Sequence, residues 1–256
     1  MSVNALARPP SWHRFLLIAL STLLIALVLG MEQLAPLFRA LFPDQDPAMY
    51  QRESFLNLTL AHLALVLLSS LISVSIGVAA GLFVTRPAGR EFEPLVSTLA
   101  AIGQTFPPAA VLAIAVPLAG FGFVPTLVAL VLYGLLPVVQ NTVAGLGTVP
   151  SQTLEAARGN GMSAWQILWR IELPLAMRVI IAGVRVSVII NIGTATIGST
   201  VGATTLGTPI IAGLVGNNLP YVIQGAILVG LLAIVTDLAF ERLERRFSFG
   251  EEGNAQ

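Results

Sequence analysis

The chain has 256 residues, of which 55% are hydrophobic and only 10% charged, and its net charge is zero. A soluble domain of this length carries about 25% charged residues, so the composition indicates an all-α integral membrane protein. The balanced charge gives no electrostatic case for binding nucleic acid, and the absence of cysteine excludes disulfides and metal sites built on sulfur.

Charge-free stretches predict about six membrane-spanning helices, since about 20 mostly apolar residues cross a bilayer. The predicted spans lie between Arg14 and Glu32, around 58–84, on both sides of a break near 120–125, and at 176–197 and 221–240. A cleaved signal peptide is the alternative for the first span. No small-x-small cleavage site follows it, so we interpret it as a membrane anchor.

The arginines predict the orientation of the spans, because short cytoplasmic loops are enriched in basic residues. Ten arginines fall on one side and two on the other: Arg8, Arg14, Arg86, Arg90, Arg158, Arg170, Arg178, Arg242, Arg245 and Arg246 against Arg39 and Arg52. Both termini are therefore expected in the cytoplasm. The expected divisions are an anchor helix with an extracytoplasmic segment (1–54), the main transmembrane domain (55–246) and a cytoplasmic tail (247–256).

The polar loop 155–174 stands out within this apolar chain and is expected in the cytoplasm. Pro150 and Ser151 predict the start of a short helix, which Gly159 and Gly161 could end with positive φ angles. Ser163 and Gln166 then form a capping-box pattern that predicts a second helix.

The second helix is predicted to place Trp165, Leu168 and Trp169 on one face and to end at Pro174. An interfacial helix anchored by tryptophan explains that half of the loop. It does not explain the glutamate and two small alanines beside the glycine turn, which favour a docking surface for a cytoplasmic partner.

The loop resembles the EAA signature of binding-protein-dependent ABC transporter permeases, Glu-Ala-Ala-x3-Gly-x9-Ile-x-Leu-Pro. The matching residues are Glu155, Ala156, Ala157, Gly161, Ile171, Leu173 and Pro174. The resemblance implies a type I ABC importer permease (MetI-like) fold in a bacterial inner membrane, with a coupling helix that fits a groove on a cytoplasmic ATP-binding subunit. It also implies a second permease chain, identical or a sister, and an extracytoplasmic substrate-binding protein.

The chain contains no lysine, although a P-loop requires one to reach the nucleotide phosphates. ATP hydrolysis is therefore expected in a separate subunit, and this chain is expected to be neither an enzyme nor a cofactor-binding protein.

The stretches 104–114, 132–146 and 190–207 resemble the osmoprotectant branch of these permeases, which imports glycine betaine, choline and carnitine. One departure is "GATTLG" at 202–207, where the branch has a more glycine-rich sequence, and it leaves the substrate open. Neighbouring amino-acid permeases share parts of these stretches, so an amino acid or another small polar solute is the alternative.

Polar and aromatic residues inside the spans are candidates for the translocation path. They are Gln104, Phe106, Pro107, Tyr133, Asn141, Asn191 and Thr194. The alternative for the polar ones is interhelical hydrogen bonding. Pro107 and Pro108 predict a hinge. Phe106 and Tyr133 could hold a quaternary amine through cation–π attraction, but so few aromatics favour high-affinity recognition by the separate binding protein.

Arg185 and His62 lie inside predicted spans. Arg185 is expected to pair with Asp237 or to extend towards the cytoplasmic surface, with substrate contact as the alternative. His62 has no neighbouring metal-type ligand and is interpreted as a packing residue. A secondary transporter is the rival class, but no inverted repeat is visible and the apolar regions hold no carboxylate except Asp237. An intramembrane enzyme would need a nucleophile and base, and no such spacing appears.

Overall fold

The computed structural model describes residues 12–247, with side chains from Arg14 onward. Arg8 and residues 248–256 of the predicted tail lie outside this range. Within it the regular structure is entirely helical. The helices are α1 (Trp12–Gly30), α2 (Ala35–Leu41), α3 (Phe55–Val84), α4 (Glu93–Thr105), α5 (Pro108–Ala119), α6 (Phe123–Gly147), α7 (Ser151–Gly159), α8 (Ala164–Ile167), α9 (Leu173–Ala195), α10 (Gly207–Val215) and α11 (Leu219–Arg246).

Residues 12–247 hold five candidate membrane spans, or six if one bent pair of helices counts as a span, which agrees with the prediction of about six. Five helical stretches are long and apolar enough to span a bilayer: Arg14–Leu41, Phe55–Val84, Phe123–Gly147, Ala164–Val201 and Leu219–Arg246. The candidate for a sixth crossing is the bent pair α4 and α5, and α6 begins at Phe123, within the predicted break at 120–125. The all-helical membrane fold is thus confirmed.

The predicted third span is bent, at the position where Pro107 and Pro108 predicted a hinge. It is broken between α4 and α5, whose axes differ in direction by 95°. Phe106 and Pro107 lie between them with extended backbone, at ψ 136° and 139°. Each precedes a proline, whose ring disfavours helical backbone in the residue before it. Two consecutive prolines therefore produce a sharp bend at the position where the sequence predicted a hinge.

Glycines allow α3, α6 and α9 to pack closely, with α6 between the other two. A Cβ at Gly81 of α3 would lie 2.6 Å from Cβ of Thr142 on α6. One at Gly183 of α9 would lie 2.4 Å from Cβ of Asn141, also on α6. Because lipid tails are as apolar as leucine, such close backbone contact is a main source of helix association in a membrane.

Buried apolar side chains form two separate clusters. The larger one joins α1, α3, α9, α11 and the segment 42–54. The smaller one, named the junction cluster here, lies at the end of the bundle that carries α7 and α8. It consists of Leu146, Leu168, Leu173, Ala176 and Ile180, with Val78 and Leu82 of α3 packed against it.

The segment 42–54 packs against the start of α11 at the opposite end of the bundle. The fully buried side chain of Gln224 accepts a hydrogen bond from the Tyr50 N–H (3.0 Å) and donates one to the Ala48 carbonyl (2.8 Å). The Tyr50 ring meets Tyr221 edge-on, with centroids 5.4 Å apart, and burial is the main cause that raises the pKa of Tyr50. One buried amide thus fixes a segment that looks like an ordinary loop in the sequence.

Candidate coupling and translocation sites

The glycine elbow of the polar loop is a Schellman motif at the end of α7. Gly161 has φ 77°, and its N–H donates to the Arg158 carbonyl (2.9 Å) while the Met162 N–H donates to the Ala157 carbonyl (3.1 Å). This is the left-handed cap that glycine allows. The prediction for Gly161 is confirmed, whereas the prediction for Gly159 is wrong. Gly159 is the last residue of α7 and has no positive φ.

The second helix begins with the predicted capping box. The Ser163 hydroxyl accepts from the Gln166 N–H, and the Gln166 side chain accepts from the Ser163 N–H. Trp165 and Trp169 are 67% and 55% exposed and meet edge-on. Leu168 differs from the two tryptophans in exposure, because it is buried and packs into the junction cluster.

Pro174 was expected to end this helix, and that prediction is also wrong. The helical backbone continues from Ala164 to Val201, a stretch of 38 residues. A π-helical turn at 168–172 separates α8 from α9, and the Leu173 N–H bonds to the Leu168 carbonyl. Proline cannot donate to the carbonyl four residues before it, and the wider turn accommodates its ring. The short helix of the loop and the fifth span are therefore one continuous element.

The residues of the signature divide into an exposed group and a buried group. Glu155 and Ala156 are exposed on α7, whereas Ala157 on its other side is buried. Leu173 is buried in the junction cluster, and Ile171 is half-buried. Glu155, Ala156 and Gly161 are thus available to a partner, whereas the prediction that Ala157 belongs to the docking surface is wrong, because its side chain is buried within the chain. Leu173 attaches the loop to the bundle, and Pro174 is exposed.

An ion pair that was not predicted joins this loop to the end of α3. The Glu172 carboxylate lies 2.7 Å from the Arg86 guanidinium. From the sequence, Arg86 was predicted only to mark the cytoplasmic side, and no role was predicted for Glu172. The sequence does mark Glu172 as unusual, because it is the only acidic residue between Glu155 and Asp237.

Four candidates for the translocation path meet at the bend between α4 and α5. The Tyr133 hydroxyl donates to the Phe106 carbonyl, and the Gln104 amide donates to the Tyr133 carbonyl (2.7 Å). That carbonyl would normally bond to the N–H of residue 137, which is a proline within α6. Phe106 is 48% exposed and Pro107 is exposed, so the bend presents an aromatic ring at the surface of the chain.

The other three candidates do not join this group. Asn141 is half-buried and donates to the Pro137 carbonyl of its own helix (2.8 Å). Asn191 is fully buried and donates to the hydroxyls of Ser69 and Ser70 on α3. These bonds match the alternative of interhelical hydrogen bonding for Asn191. Thr194 is half-buried near the end of α9.

The Arg185 side chain pairs with Asp237 of α11. Its Nε and Nη2 atoms lie 2.6 and 2.7 Å from the two carboxylate oxygens, and Nη1 lies 3.5 Å from Glu244. The pairing alternative is therefore confirmed. His62 is fully buried, and its Nδ1 accepts from the Leu206 N–H (3.4 Å), as suits a packing histidine. Across residues 12–247, no three His, Asp or Glu side chains come together as a metal site.

Known permeases share both the sequence and the fold of this chain. Osmoprotectant import permease protein OsmY of Salmonella typhimurium is 38% identical over 230 residues, which cover 89% of this chain and 98% of the relative. Glycine betaine/carnitine/choline transport system permease protein OpuCB of Bacillus subtilis is 37% identical, covering 72% of this chain and 84% of the relative.

The solved inward-facing MetNI methionine ABC transporter has a chain that matches 77% of this one and 100% of its own length, with a TM-score of 0.67 and 22% identity. At that identity the match establishes the fold, which is the predicted MetI-like one. The profile of a protein family matches residues 74–249, more than half of the sequence, and its description is "Binding-protein-dependent transport system inner membrane component". The chain therefore belongs to this family of inner-membrane permease subunits.

Proposed function

We propose that the chain is the permease subunit of an ATP-driven importer of osmoprotectants with a quaternary ammonium group, such as glycine betaine, choline or carnitine. One relative named for osmoprotectant import matches this chain at 38% identity, and one named for glycine betaine, carnitine and choline matches it at 37%. The three stretches that resemble the osmoprotectant branch support the same substrate class.

The observation that carries the proposal is the structure of the polar loop. Glu155 and Ala156 are exposed on α7, and a rigid elbow at Gly161 connects α7 to α8. Because α8 continues into α9, a displacement of this loop moves a membrane-spanning helix directly. A separate ATP-binding subunit docked on α7 would supply that displacement, since this chain has no lysine with which to build a P-loop.

The proposed orientation places α7, α8 and both termini in the cytoplasm, with the segment 31–54 outside. The domain boundaries are those expected from the sequence: 1–54, 55–246 and 247–256. A reporter enzyme fused after Arg246 should be active on the cytoplasmic side, and one inserted at Gln45 on the outer side. The opposite result at either site would reverse the topology and remove the role of α7.

The bend between α4 and α5 is the part of the chain best suited to line the path. Irregular backbone at membrane depth is tolerated where it is buried in protein or lines a cavity. The exposed Phe106 ring offers a cation–π surface to a quaternary amine. A second permease chain, identical or a sister, would close the path opposite the bend, and an extracytoplasmic binding protein would deliver the substrate.

The test is uptake by the complete complex in proteoliposomes, with betaine, choline, carnitine and a set of amino acids as substrates. Uptake of amino acids but of no quaternary amine would contradict the proposed substrate class. Glu155→Ala should reduce substrate-stimulated ATP hydrolysis and uptake while changing stability by no more than about 0.5 kcal/mol, as is usual for surface residues. Glu91→Ala is the matched control, because Glu91 is exposed in the turn after α3, outside α7. Equal effects of the two substitutions would exclude a specific role of Glu155.

A further inference from the structure

We propose that Arg86 and Glu172 form a second mechanical link, which transmits movement of the coupling loop to α3 as well as to α9. This inference rests on the proposed function, in which the loop receives movement from an ATP-binding subunit. Both residues would act as positioning residues for transport, without touching the substrate.

The ion pair joins two elements that are far apart in the sequence. Glu172 is the last residue of the π-helical turn, and Arg86 is the second residue after α3. Their side chains are 2.7 Å apart and differ in exposure, at 33% for Arg86 and 11% for Glu172. The carboxylate is thus almost enclosed by the protein, whereas the guanidinium also reaches its surface.

Arg86 lies in a turn whose backbone is held firmly to α3. Its N–H donates to the Phe83 carbonyl (3.0 Å), and its own carbonyl accepts from the Gly89 N–H (2.9 Å). A Cβ at Gly89 would lie only 2.1 Å from the Phe83 oxygen, so the turn closes tightly. The rings of Phe83 and Phe92 also meet across it, with centroids 6.0 Å apart. A force on the Arg86 side chain is therefore delivered to the end of α3.

The surroundings of the pair explain why a charged contact would serve this purpose. Val78 and Leu82 of α3 already pack against Leu168 and Leu173 in the junction cluster. Apolar contacts are non-directional and let surfaces slide. The ion pair instead joins two particular groups, since the Arg86 guanidinium lies 2.7 Å from Oε2 of Glu172, a buried oxygen that makes no hydrogen bond to a described residue. An ion pair whose carboxylate is almost enclosed adds little net stability compared with apolar packing, so fixing the position of the two elements is the better explanation for this one.

Neutral substitutions separate this role from simple stabilisation. Arg86→Gln leaves the enclosed Glu172 carboxylate without its cation and should lower the melting temperature. Glu172→Gln leaves Arg86 partly in water and should lower it less. The double variant R86Q/E172Q removes both charges and should melt close to the wild type. If the pair only stabilised the fold, the double variant should also transport substrate as well as the wild type does.

The decisive measurement is substrate imported per ATP hydrolysed by the complete reconstituted complex. We expect this ratio to fall about fivefold or more in R86Q/E172Q, which is the lower end of the typical coupling between two sites. The control is R90Q/E91Q, which removes two exposed charges from the same turn and should keep the wild-type ratio. A wild-type ratio in R86Q/E172Q would overturn the proposal.

A second measurement does not depend on the substrate. The chain has no cysteine, so Ala88→Cys and Ala164→Cys allow two spin labels to be placed on exposed positions. Pulsed electron paramagnetic resonance should give one narrow distance distribution, which R86Q/E172Q should broaden. An unchanged distribution would overturn the link. If the wild-type complex imports no quaternary amine, the proposed function fails, and these distances still decide whether the pair fixes α3 to the loop.

Discussion

Replacing Gly183 by alanine should force apart two helices that are now in direct contact. An added Cβ would lie 2.4 Å from Cβ of Asn141 and 2.7 Å from the Pro137 carbonyl oxygen, both on α6. These are main-chain and Cβ atoms, so no rotation of a side chain can relieve the contact. Gly193 lies on the same helix, and a Cβ added there would meet no other described element within 4 Å. Gly193→Ala is therefore the matched control.

The difference between the two variants isolates the cost of the contact. Alanine is favoured over glycine inside a helix by about 1 kcal/mol, and both variants share this term. Overpacking a tight site costs about 1–3 kcal/mol. In proteins of this length 1 kcal/mol corresponds to a shift of roughly 2–4 °C, so Gly183→Ala should melt about 2–12 °C below Gly193→Ala.

The assay is thermal unfolding of the purified variants in one detergent, followed by the amount of monodisperse protein that remains after heating. Equal melting temperatures, or a higher one for Gly183→Ala, would refute the close approach of α6 and α9. The control also shows whether either alanine disturbs membrane insertion, since both variants should be recovered from the membrane in equal amounts.

Two further substitutions test local features of the same bundle. Gly161→Val places a branched residue at φ 77°, which should lower the free energy of unfolding by about 1–3 kcal/mol and weaken co-purification of the ATP-binding subunit. Gly159→Val is the control and should keep the wild-type stability and co-purification. Equal behaviour of the two variants would contradict the left-handed elbow at Gly161. Arg185→Gln should cost about 1–3 kcal/mol, since its two bonds to Asp237 are lost in an apolar setting. A thermal melt measures this cost, and adding Asp237→Asn should recover part of it; no recovery would mean that the ion pair is not its source.

The helices were predictable wherever the signal is local. Charge-free stretches locate the spans because the bilayer excludes charge from long segments, and Gly161 and Ser163 act on their own neighbours. The bend at Pro107 was predictable in position for the same reason. Its angle was not, because the angle depends on how the chain packs against α6.

The missed features are contacts between distant parts of the chain. The isolation of Glu172 from other acidic residues marks it as unusual but does not identify Arg86 as its partner, and nothing near Tyr50 indicates that Gln224 fixes its backbone. The continuous helix through Pro174 was missed for another reason. The rule that proline ends a helix omits the π-helical turn, which removes the steric conflict without breaking the helix.

The prolines explain how the bend is held against the rest of the bundle. Pro137 leaves the Tyr133 carbonyl without a helical donor, and the Gln104 amide of α4 fills that role. The Phe106 carbonyl, freed by the break before Pro108, accepts from the Tyr133 hydroxyl. Each helix break thus supplies a hydrogen-bonding group that the other element satisfies, which is required where no water can do so. Because α6 also meets α9 at Gly183, and α9 continues into α8, an unbroken series of contacts joins the exposed loop to the bend.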